Sequence, residues 1–446
     1  MGIILKKVLC CFLIALLIVA CVYVWSRNIG GLPEKVSRPS DLSNVWHSPF
    51  YELSKRNAKQ PAILQMDSKL ARLNFHPEPF KTEDMALKTP TVSLAAVGDV
   101  DMHMPIVNSA FIPSDQTYDF RPIFNEIRSD LQSADVATGV LETQLGGPNE
   151  TFTGYPDFKS PQAIADALKW AGLKLVFTAH NHSLDQGTDG LEKTLKYLEQ
   201  IDLPYVGCRY DPSRKSYRLV DCKGICLAFL SYTAFTNGHR LAPGQEWMVN
   251  ILDRQKVLQD IYEVKKAGAD CIIMAVHVGV EYQRIPSKEQ QELCDWLIRS
   301  GVDIVLGSHV HVVQPLEKRS FFDPDRMMER QSFIAYSLGN LLSNQRWRYS
   351  DYGLLVKFLL TKKSEGPGVS IAETGYTPLW VHRYLEQGKY HYRIMKVTGA
   401  EYQGNNPWVD GAARQRMGEV FTETQELMDG WTGGRSLGQQ DPFVQP

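Results

Sequence analysis

Residues 269–317 read ADCIIMAVHVGVEYQRIPSKEQQELCDWLIRSGVDIVLGSHVHVVQPLE, a pattern typical of a strand, a helix and a second strand. The two apolar runs, Cys271–Val276 and Val302–Leu306, have the length of buried strands. Between them, Ser287 and Gln290 form a capping-box pair, which predicts that a helix begins there. The stretch therefore predicts a chain of the α/β class.

Histidines stand at the carboxyl ends of both predicted strands. His277 ends the first strand, and His309 and His311 follow the second after Gly307. A single histidine at a strand end is usually a packed or exposed residue without a special role. Ligands, however, bind at the carboxyl ends of strands in open α/β sheets. Three imidazoles at one rim of a sheet therefore indicate a functional site.

Three more apolar segments, Thr91–Val97, Val136–Leu141 and Leu173–Thr178, have the length of buried strands and also run into polar side chains. A helix is predicted from Ser160, as its cap, and Pro161 onward, because the apolar residues that follow share one face. The candidate ligands beyond the three strands are Asp99, Asp101, His103, Glu142, Asn181 and His182.

Carboxylate, carboxamide and imidazole donors together suit divalent metals such as Zn, Mn or Fe. A pair of ions about 3.5–4 Å apart, bridged by a carboxylate, would activate a water and hold an anionic oxygen. Each residue alone has an ordinary alternative, since Gly-Asp turns are common and Glu142 could be a loop charge. Taken jointly, the residues predict a metal site or the remnant of one.

Composition limits the class of protein. The chain has 446 residues, a net charge of −2 and no basic stripe with interleaved aromatic residues, which argues against nucleic acid as a partner. The five cysteines beyond residue 25 include no C-x-x-C pair, so neither a disulfide framework nor a zinc knuckle is indicated. No Gly-rich phosphate cradle followed by Lys-Ser or Lys-Thr is present, so an ATP-dependent ligation step would belong to another protein.

The N-terminal region predicts a membrane anchor. Lys6 and Lys7 precede an uncharged apolar run, Val8–Trp25, which is long enough to span a bilayer. The lysines favour a cytoplasmic N-terminus, which places the bulk of the chain outside the cytoplasm. An uncleaved anchor is favoured because no small-x-small cleavage site interrupts the run. A lipoprotein signal ending at Cys21 and a buried helix are the alternatives.

Seven ordered segments resemble the CapA family, the capsule-synthesis proteins of bacterial poly-γ-glutamate production. They are AVGDV at 96–100, VLE at 140–142, AHNHSLDQG at 179–187, SYTAFTNG at 231–238, HVGVEY at 277–282, residues 307–317 and YSLGN at 336–340. The resemblance implies a fold like that of the calcineurin-type metallophosphatases, a β-sandwich flanked by helices. It also implies a membrane-bound component that acts at the outer face during polymer synthesis or export.

The resemblance also implies roles for single residues. His182 would be the catalytic acid or electrostatic partner beside a leaving group. Three positions depart from the family pattern: His180 replaces an Asn, Val278 replaces a Trp, and Asp101 replaces an apolar residue. The residues that match metal-holding positions are Asp99, Glu142, Asn181, His277 and His309, with His311 as a further ligand.

The predicted organisation is an anchor or signal anchor at 1–26, a juxtamembrane linker at 27–90, a CapA-like domain at 91–346 and a C-terminal elaboration and tail at 347–446. The leading hypothesis is a membrane-anchored component of poly-γ-glutamate biosynthesis that binds two divalent ions. Its partners would be that polymer or a similar anionic one, membrane synthase subunits and the membrane itself. The alternatives are a metal-dependent hydrolase of phosphoesters, polymer or cell wall, and a non-catalytic polymer-binding scaffold.

Overall fold

The computed structural model describes residues 89–323, 328–363, 368–398 and 408–431. Its larger sheet has eight strands in the order β18-β17-β16-β1-β4-β7-β8, with β15 beside the end of β1. The strands are β1 (Thr91–Asp101), β4 (Val136–Glu142), β7 (Leu175–Phe177), β8 (Tyr205–Val206), β15 (Asn340–Leu342), β16 (Tyr352–Lys362), β17 (Val369–Glu386) and β18 (Lys389–Lys396).

A second sheet has six strands in the order β13-β14-β12-β11-β10-β9. Two small ribbons, β2 with β3 and β5 with β6, complete the strands described. The bounds are β2 (Phe111–Ile112), β3 (Thr117–Tyr118), β5 (Gln144–Gly146), β6 (Lys159–Pro161), β9 (Arg218–Cys222), β10 (Ile225–Thr233), β11 (Cys271–His277), β12 (Ile304–Ser308), β13 (Leu316–Asp323) and β14 (Met328–Ala335).

Six of the seven helices described cover the outer faces of the two sheets, and the last helix packs against the core between them. A 3₁₀ turn at Arg121–Phe124 precedes the second helix. The helices are α1 (Met104–Ala110), α2 (Arg128–Ser133), α3 (Ala163–Ala171), α4 (Gly187–Gln200), α5 (Arg254–Lys266), α6 (Lys288–Ser300) and α7 (Gly411–Gly430).

Strand β11 shows how the layers pack. Ile273 and Ala275 face the core between the two sheets, whereas Met274 and Val276 face the helices outside. Because both faces are buried, the strand is apolar throughout instead of alternating with polar residues. The predicted β-sandwich flanked by helices is confirmed by this arrangement of helices and paired sheets.

The central strands run parallel, which collects their carboxyl ends. β1, β4 and β7 are parallel neighbours in the larger sheet, and β10, β11 and β12 are parallel neighbours in the smaller one. The two sheets therefore present two sets of strand ends to one side of the sandwich. The candidate ligands follow three strands of the larger sheet, β1, β4 and β7, and two strands of the smaller sheet, β11 and β12.

Two predicted helix starts have different outcomes. Ser287 caps α6 by accepting a hydrogen bond from the backbone of Gln290, as the capping-box pair predicts. The start predicted at Ser160 is wrong, because α3 is preceded by Gln162 as its N-cap residue. Ser160 instead lies in β6, where its hydroxyl is 2.7 Å from that of Thr143. The hydroxyl that was expected to cap the helix is instead engaged in a buried tertiary contact.

The segment after residue 346 joins the main sandwich. β16 pairs antiparallel with β1, and β17 and β18 continue the larger sheet from there. Helix α7 contributes Met417 and Val420 to the core between the sheets. The strands predicted for this segment thus extend the larger sheet.

Among the described residues, no helix combines the length and apolarity needed to cross a membrane. The predicted anchor at Val8–Trp25, the alternative lipoprotein site at Cys21 and nearly all of the predicted linker lie outside the described residues.

Candidate metal centre

All six predicted ligands meet in one buried cluster at the carboxyl ends of the strands. β1 and β4 supply carboxylates from the larger sheet, and β11 and the loop after β12 supply imidazoles from the smaller one. The six residues, none more than 4% exposed, are Asp99, Glu142, Asn181, His277, His309 and His311. The sandwich thus joins residues that are up to 212 positions apart (Asp99 to His311).

Glu142 occupies the middle of the cluster. Its Oε1 lies 3.2 Å from Nε2 of His277, and its Oε2 lies 4.0 Å from Nδ1 of His311. Two sets of three potential ligand atoms each lie within 4.8 Å of one another. Glu142 with His277 and His309 forms one set, and Glu142 with Asp99 and His311 forms the other. A carboxylate shared by two sets is what the sequence-based hypothesis of two bridged ions requires.

His277 is held in place by two polar neighbours. Its Nδ1 lies 2.8 Å from the hydroxyl of Ser308, and its Nε2 lies 2.7 Å from Oδ1 of Asn181. When Nδ1–H donates to Ser308, the Nε2 lone pair faces two acceptor oxygens, those of Glu142 and Asn181, and only a cation among the three atoms makes that contact favourable. A hydrogen bond at the far ring nitrogen commonly orients histidines that bind metals.

The loop after β12 presents its two histidines from an unusual backbone. His309 and His311 both adopt positive φ, at 89° and 59°, a region that side chains other than glycine rarely enter. The backbone N–H of His309 donates to Oδ2 of Asp99 at 3.1 Å, which ties the loop to β1. Strain of this kind concentrates at functional sites, where the surrounding structure holds it.

Burial drives the cluster toward neutral side chains in the absence of a cation. It raises the pKa of Asp99 to about 7 and the pKa of Glu142 well above its usual value, and neighbouring carboxylates contribute to the latter shift. It lowers the pKa of His309 to about 3 and that of His277 well below its usual value, with the neighbouring imidazoles contributing. A bound divalent cation would reverse the shifts of the carboxyl groups.

The residues fit a metal, because several of their buried polar atoms lack hydrogen-bond partners. Unsatisfied buried carboxylate oxygens are costly and rare in proteins. A cation among them would satisfy them together. The atoms in question are Oδ1 of Asp99, Oδ1 of Asp101, both Oε atoms of Glu142 and Nδ1 of His309.

His182 lies beside this cluster and has its own partner. Its Nδ1 is 2.7 Å from Oδ2 of Asp185, whose side chain is fully buried. Its ring packs edge-to-face on Phe158 at 4.6 Å. Asn237 lies within hydrogen-bonding distance of both His182 and Asn181, so it connects the histidine to the metal cluster. The carboxylate and the aromatic ring fix the orientation of the imidazole.

The three departures from the family pattern differ in their surroundings. Asp101 is buried, accepts a hydrogen bond from Ser343 at 3.1 Å, and leaves Oδ1 unpartnered. The His180 ring contacts that of His277 at 6.0 Å, and burial lowers its pKa to about 3. Val278 packs into the apolar core outside the smaller sheet. Only Asp101 adds a carboxylate to the cluster.

Sequence reasoning assigned no role to five residues that position the cluster. Four of them lie inside the family-like segments, at 179–187, 231–238, 307–317 and 336–340, but the sequence does not show which residue each of them contacts. The five are Asp185, Asn237, Ser308, Asn340, which lies 3.1 Å from His311, and Ser343.

Fold and site together define a two-sheet α/β sandwich with a buried carboxylate–imidazole cluster suited to divalent metal. A family model described as "Bacterial capsule synthesis protein PGA_cap" matches residues 93–345, which contain every residue of the cluster. The chain belongs to this family. The family expected from the sequence motifs is therefore confirmed.

Two curated relatives come from Bacillus species. The capsule biosynthesis protein CapA of Bacillus anthracis is 30% identical over 247 residues, which cover 53% of this chain and 57% of that protein. The PGA biosynthesis protein CapA of Bacillus subtilis (strain 168) is 30% identical over 203 residues, covering 45% and 50%. The chain thus spans about half the length of the curated relatives it matches.

Solved structures with some likeness include the calcineurin-like phosphoesterase YfkN from Bacillus subtilis, with a TM-score of 0.37 and 15% identity. That match covers 76% of this chain and 98% of the other. The NAD nucleotidase of Haemophilus influenzae gives a TM-score of 0.39 and 15% identity, with coverage of 75% and 63%. At these TM-scores, neither likeness supports an inference about activity.

Proposed function

We propose that the chain is a membrane-anchored, metal-binding component of poly-γ-glutamate (capsule) biosynthesis or export that works outside the cytoplasm. Its membership of a family described as capsule synthesis proteins supports the place in polymer production. The observation that carries the metal-binding part is Glu142, a buried carboxylate shared by two sets of ligands, neither of whose oxygens has a hydrogen bond among the described residues.

The residues that would hold divalent ions, of Mn, Zn or Fe, are Glu142 with His277, His309 and Asn181 on one side, and Glu142 with Asp99 and His311 on the other. Ions at such a site supply Lewis-acid activation of a water and of a substrate oxygen. The two sheets hold the ligands in position, because each ligand set contains residues from both sheets.

A metal-dependent hydrolase is the second candidate, and the His182–Asp185 pair favours it. Asp185 accepts from Nδ1 of His182, which leaves Nε2 as the atom that holds or donates a proton. An imidazole so placed can protonate a departing oxygen, and general acid catalysis of this kind is worth about 10²–10⁴-fold in rate. A scaffold that only binds polymer would have no use for this orientation.

The test uses His182→Ala and Asn181→Ala in cells that lack the wild-type chain. We expect His182→Ala to retain metal but to lower polymer production by orders of magnitude, because His182 serves the reaction and not the ions. Asn181→Ala should reduce metal content, since its Oδ1 lies beside Nε2 of His277. The measurements are polymer yield from the cells and metal analysis of the purified protein.

The matched control is His391→Ala, which removes an imidazole that stacks on Tyr384 outside the cluster. It should leave both polymer yield and metal content unchanged. Normal polymer yield from His182→Ala at normal protein abundance would eliminate the catalytic role and leave the scaffold hypothesis. A screen of phosphomonoesters and phosphodiesters with and without a chelator then separates hydrolase from scaffold directly.

A further inference from the structure

The segment that links β15 to β16 borders the metal cluster. Ser343, its first residue, donates a hydrogen bond to Asp101 at 3.1 Å. Gln345 accepts one from Asn340, the residue whose Oδ1 lies 3.1 Å from His311. The start of this segment is therefore tied to Asp101 directly and to His311 through Asn340.

The same segment continues from the cluster to the surface. Trp347 is 60% exposed, and its ring centre lies 6.3 Å from that of Tyr282. Tyr282 in turn lies 6.2 Å from His311. An extended substrate that reaches the cluster from solvent on this side would pass the residues between Ser343 and Trp347.

Two arginines converge on this segment. Arg383 from β17 donates to Oδ1 of Asn344 at 3.2 Å, and the hydroxyl of Tyr392 donates to the same oxygen at 2.6 Å. Arg346, two residues further along, is solvent-accessible and donates to the carbonyl of Val381 at 3.2 Å. The guanidinium of Arg346 also lies 5.9 Å from the ring centre of Tyr392, whose hydroxyl shares the Asn344 oxygen with Arg383. The two guanidinium groups are therefore close neighbours around Asn344 and Tyr392.

Neither guanidinium has a carboxylate partner within ion-pair distance among the residues that the structure describes. The nearest acid that acts on Arg346 is Asp351, and Asp351 is already paired with Arg416 at 2.8 Å. Arg319, by contrast, pairs with Glu317 at 2.6 Å. Two adjacent cations repel each other, and an anion bound between them would relieve that repulsion.

We propose that Arg346 and Arg383 form an anion-binding subsite beside the metal centre and that it takes a pendant carboxylate of an acidic polymer. This inference rests on the proposed function, which supplies the polymer. A guanidinium presents two parallel N–H groups to a carboxylate, and such charge-assisted bonds are about twice as strong as neutral ones. The subsite would hold one residue of the polymer while a neighbouring linkage lies at the metal cluster.

The experiment measures binding of a fluorescently labelled, short γ-linked glutamate oligomer to the full-length, metal-loaded protein. Loss of the charge-assisted bonds made by one arginine should weaken binding of the oligomer by about tenfold. We therefore expect Arg346→Gln and Arg383→Gln each to weaken it, and the double variant to weaken it further. Binding to the wild type should also weaken as salt is added, because exposed charges are screened. Metal content should stay unchanged.

The control is the double variant Arg121→Gln and Arg299→Gln, which removes two positive charges that surface carboxylates already pair. It should bind the oligomer as the wild type does. A phosphate could also bind two guanidinium groups, so competition is measured with inorganic phosphate and with an uncharged γ-linked glutamine oligomer. Stronger competition by phosphate than by unlabelled glutamate oligomer would overturn the assignment to carboxylates.

The subsite would also be overturned if the Arg346→Gln, Arg383→Gln double variant bound the oligomer as well as the control double variant does. Failure of the wild type to bind the oligomer would overturn it too. Arg346 is exposed, so Arg346→Gln alone remains informative if the double variant does not fold. The proposed function fails by a different result, namely normal polymer yield from cells without the chain. A wrong subsite can therefore be told apart from a wrong function.

Discussion

Glu142 shows what burial means for a single residue here. The sequence left it as a carboxylate at the end of an apolar run, with an exposed loop charge as the ordinary alternative. In the structure it is fully buried and surrounded by Asp99, Asp101 and three imidazoles. A buried, unpaired carboxylate is expensive, and in proteins such groups pair or coordinate metals. Burial, which only the fold provides, thus decides between the two interpretations.

The stability of the metal-free protein should depend on pH because Asp99 is buried. Burial raises the pKa of Asp99 from 3.8 to about 7, so the folded chain keeps a proton that the unfolded chain releases. The stability that this group contributes is therefore present below about pH 4 and is lost as the pH rises to about 7. Between pH 4 and pH 7 we expect the free energy of unfolding of the chelated wild type to fall by about 2–4 kcal/mol relative to that of Asp99→Asn.

The comparison with the variant is needed because His277 and His309 act in the opposite direction. Burial lowers the pKa of each, so their contributions to stability increase with pH. Denaturant titrations of both chelated proteins at several pH values give the difference. A constant difference from pH 4 to pH 7 would contradict the prediction. Divalent metal at neutral pH should increase the stability of the wild type more than it increases the stability of Asp99→Asn.

At the scale of elements, two glycines allow the strand ends to meet. A Cβ on Gly98 would lie 1.8 Å from the carbonyl oxygen of Gly339, and one on Gly307 would lie 1.8 Å from that of Tyr336. Each of these glycines comes one or two residues before a predicted ligand. The segment from Tyr336 to Gly339 therefore crosses both strand ends at backbone contact, and no side chain could fit between them.

Gly307→Ala should be severely destabilising and should reduce metal content. The atoms that its Cβ would meet are backbone, so β12 itself must shift and carry the loop with His309 away from Glu142. We expect a loss of at least about 3 kcal/mol, typical of severe overpacking. Urea denaturation and metal analysis measure the two effects.

The matched control for this substitution is Gly375→Ala in β17, where a Cβ meets nothing within 4 Å. It should be nearly neutral, or slightly stabilising. If Gly307→Ala proved as stable as Gly375→Ala, the close approach of the two segments would not be required by the fold.

At the scale of the whole molecule, the segment after residue 346 completes the sandwich. β16 lies against β1 along seven paired residues, from Thr91 with Thr361 to Val97 with Leu355. Arg416 of α7 pairs with Asp351 at 2.8 Å, just before β16 begins. The strand β17, which carries Arg383, thus reaches the border of the metal cluster. Arg346 and Arg383, which lie beside this border, are outside the segment matched by the family model.

The proposed anchor leads to a prediction for the full-length chain. Val8–Trp25 is uncharged and long enough to span a bilayer, so the protein should fractionate with membranes and resist extraction by high salt. Protein expressed from Arg27 onward should remain in the supernatant. Cell fractionation with salt and detergent washes measures this. Full-length protein recovered from the cytosol with an intact N-terminus would contradict the outward topology.

Much of the site could be predicted because its signals are local. An apolar run that ends in a polar residue predicts both a strand and the position of a ligand, and this placed Asp99, Glu142 and His277. Ser287 was correctly predicted as a cap because its partner, Gln290, is three residues away. Ser160 was not, because its partner, Thr143, is 17 residues away. Local geometry is encoded within a few residues, whereas such a distant contact is not.

By itself the sequence determined the class of the fold, its strands and the chemical types of the ligands, since apolar length and residue type are properties of short segments. Only the tertiary structure decided that the ligands come from two sheets, that Glu142 is shared between two sets, and that Asp185 orients His182. It alone brought Arg346 and Arg383 together around Asn344 and Tyr392. The physical reason is that charge, burial and missing partners are properties of a neighbourhood, which exists only once distant segments have packed.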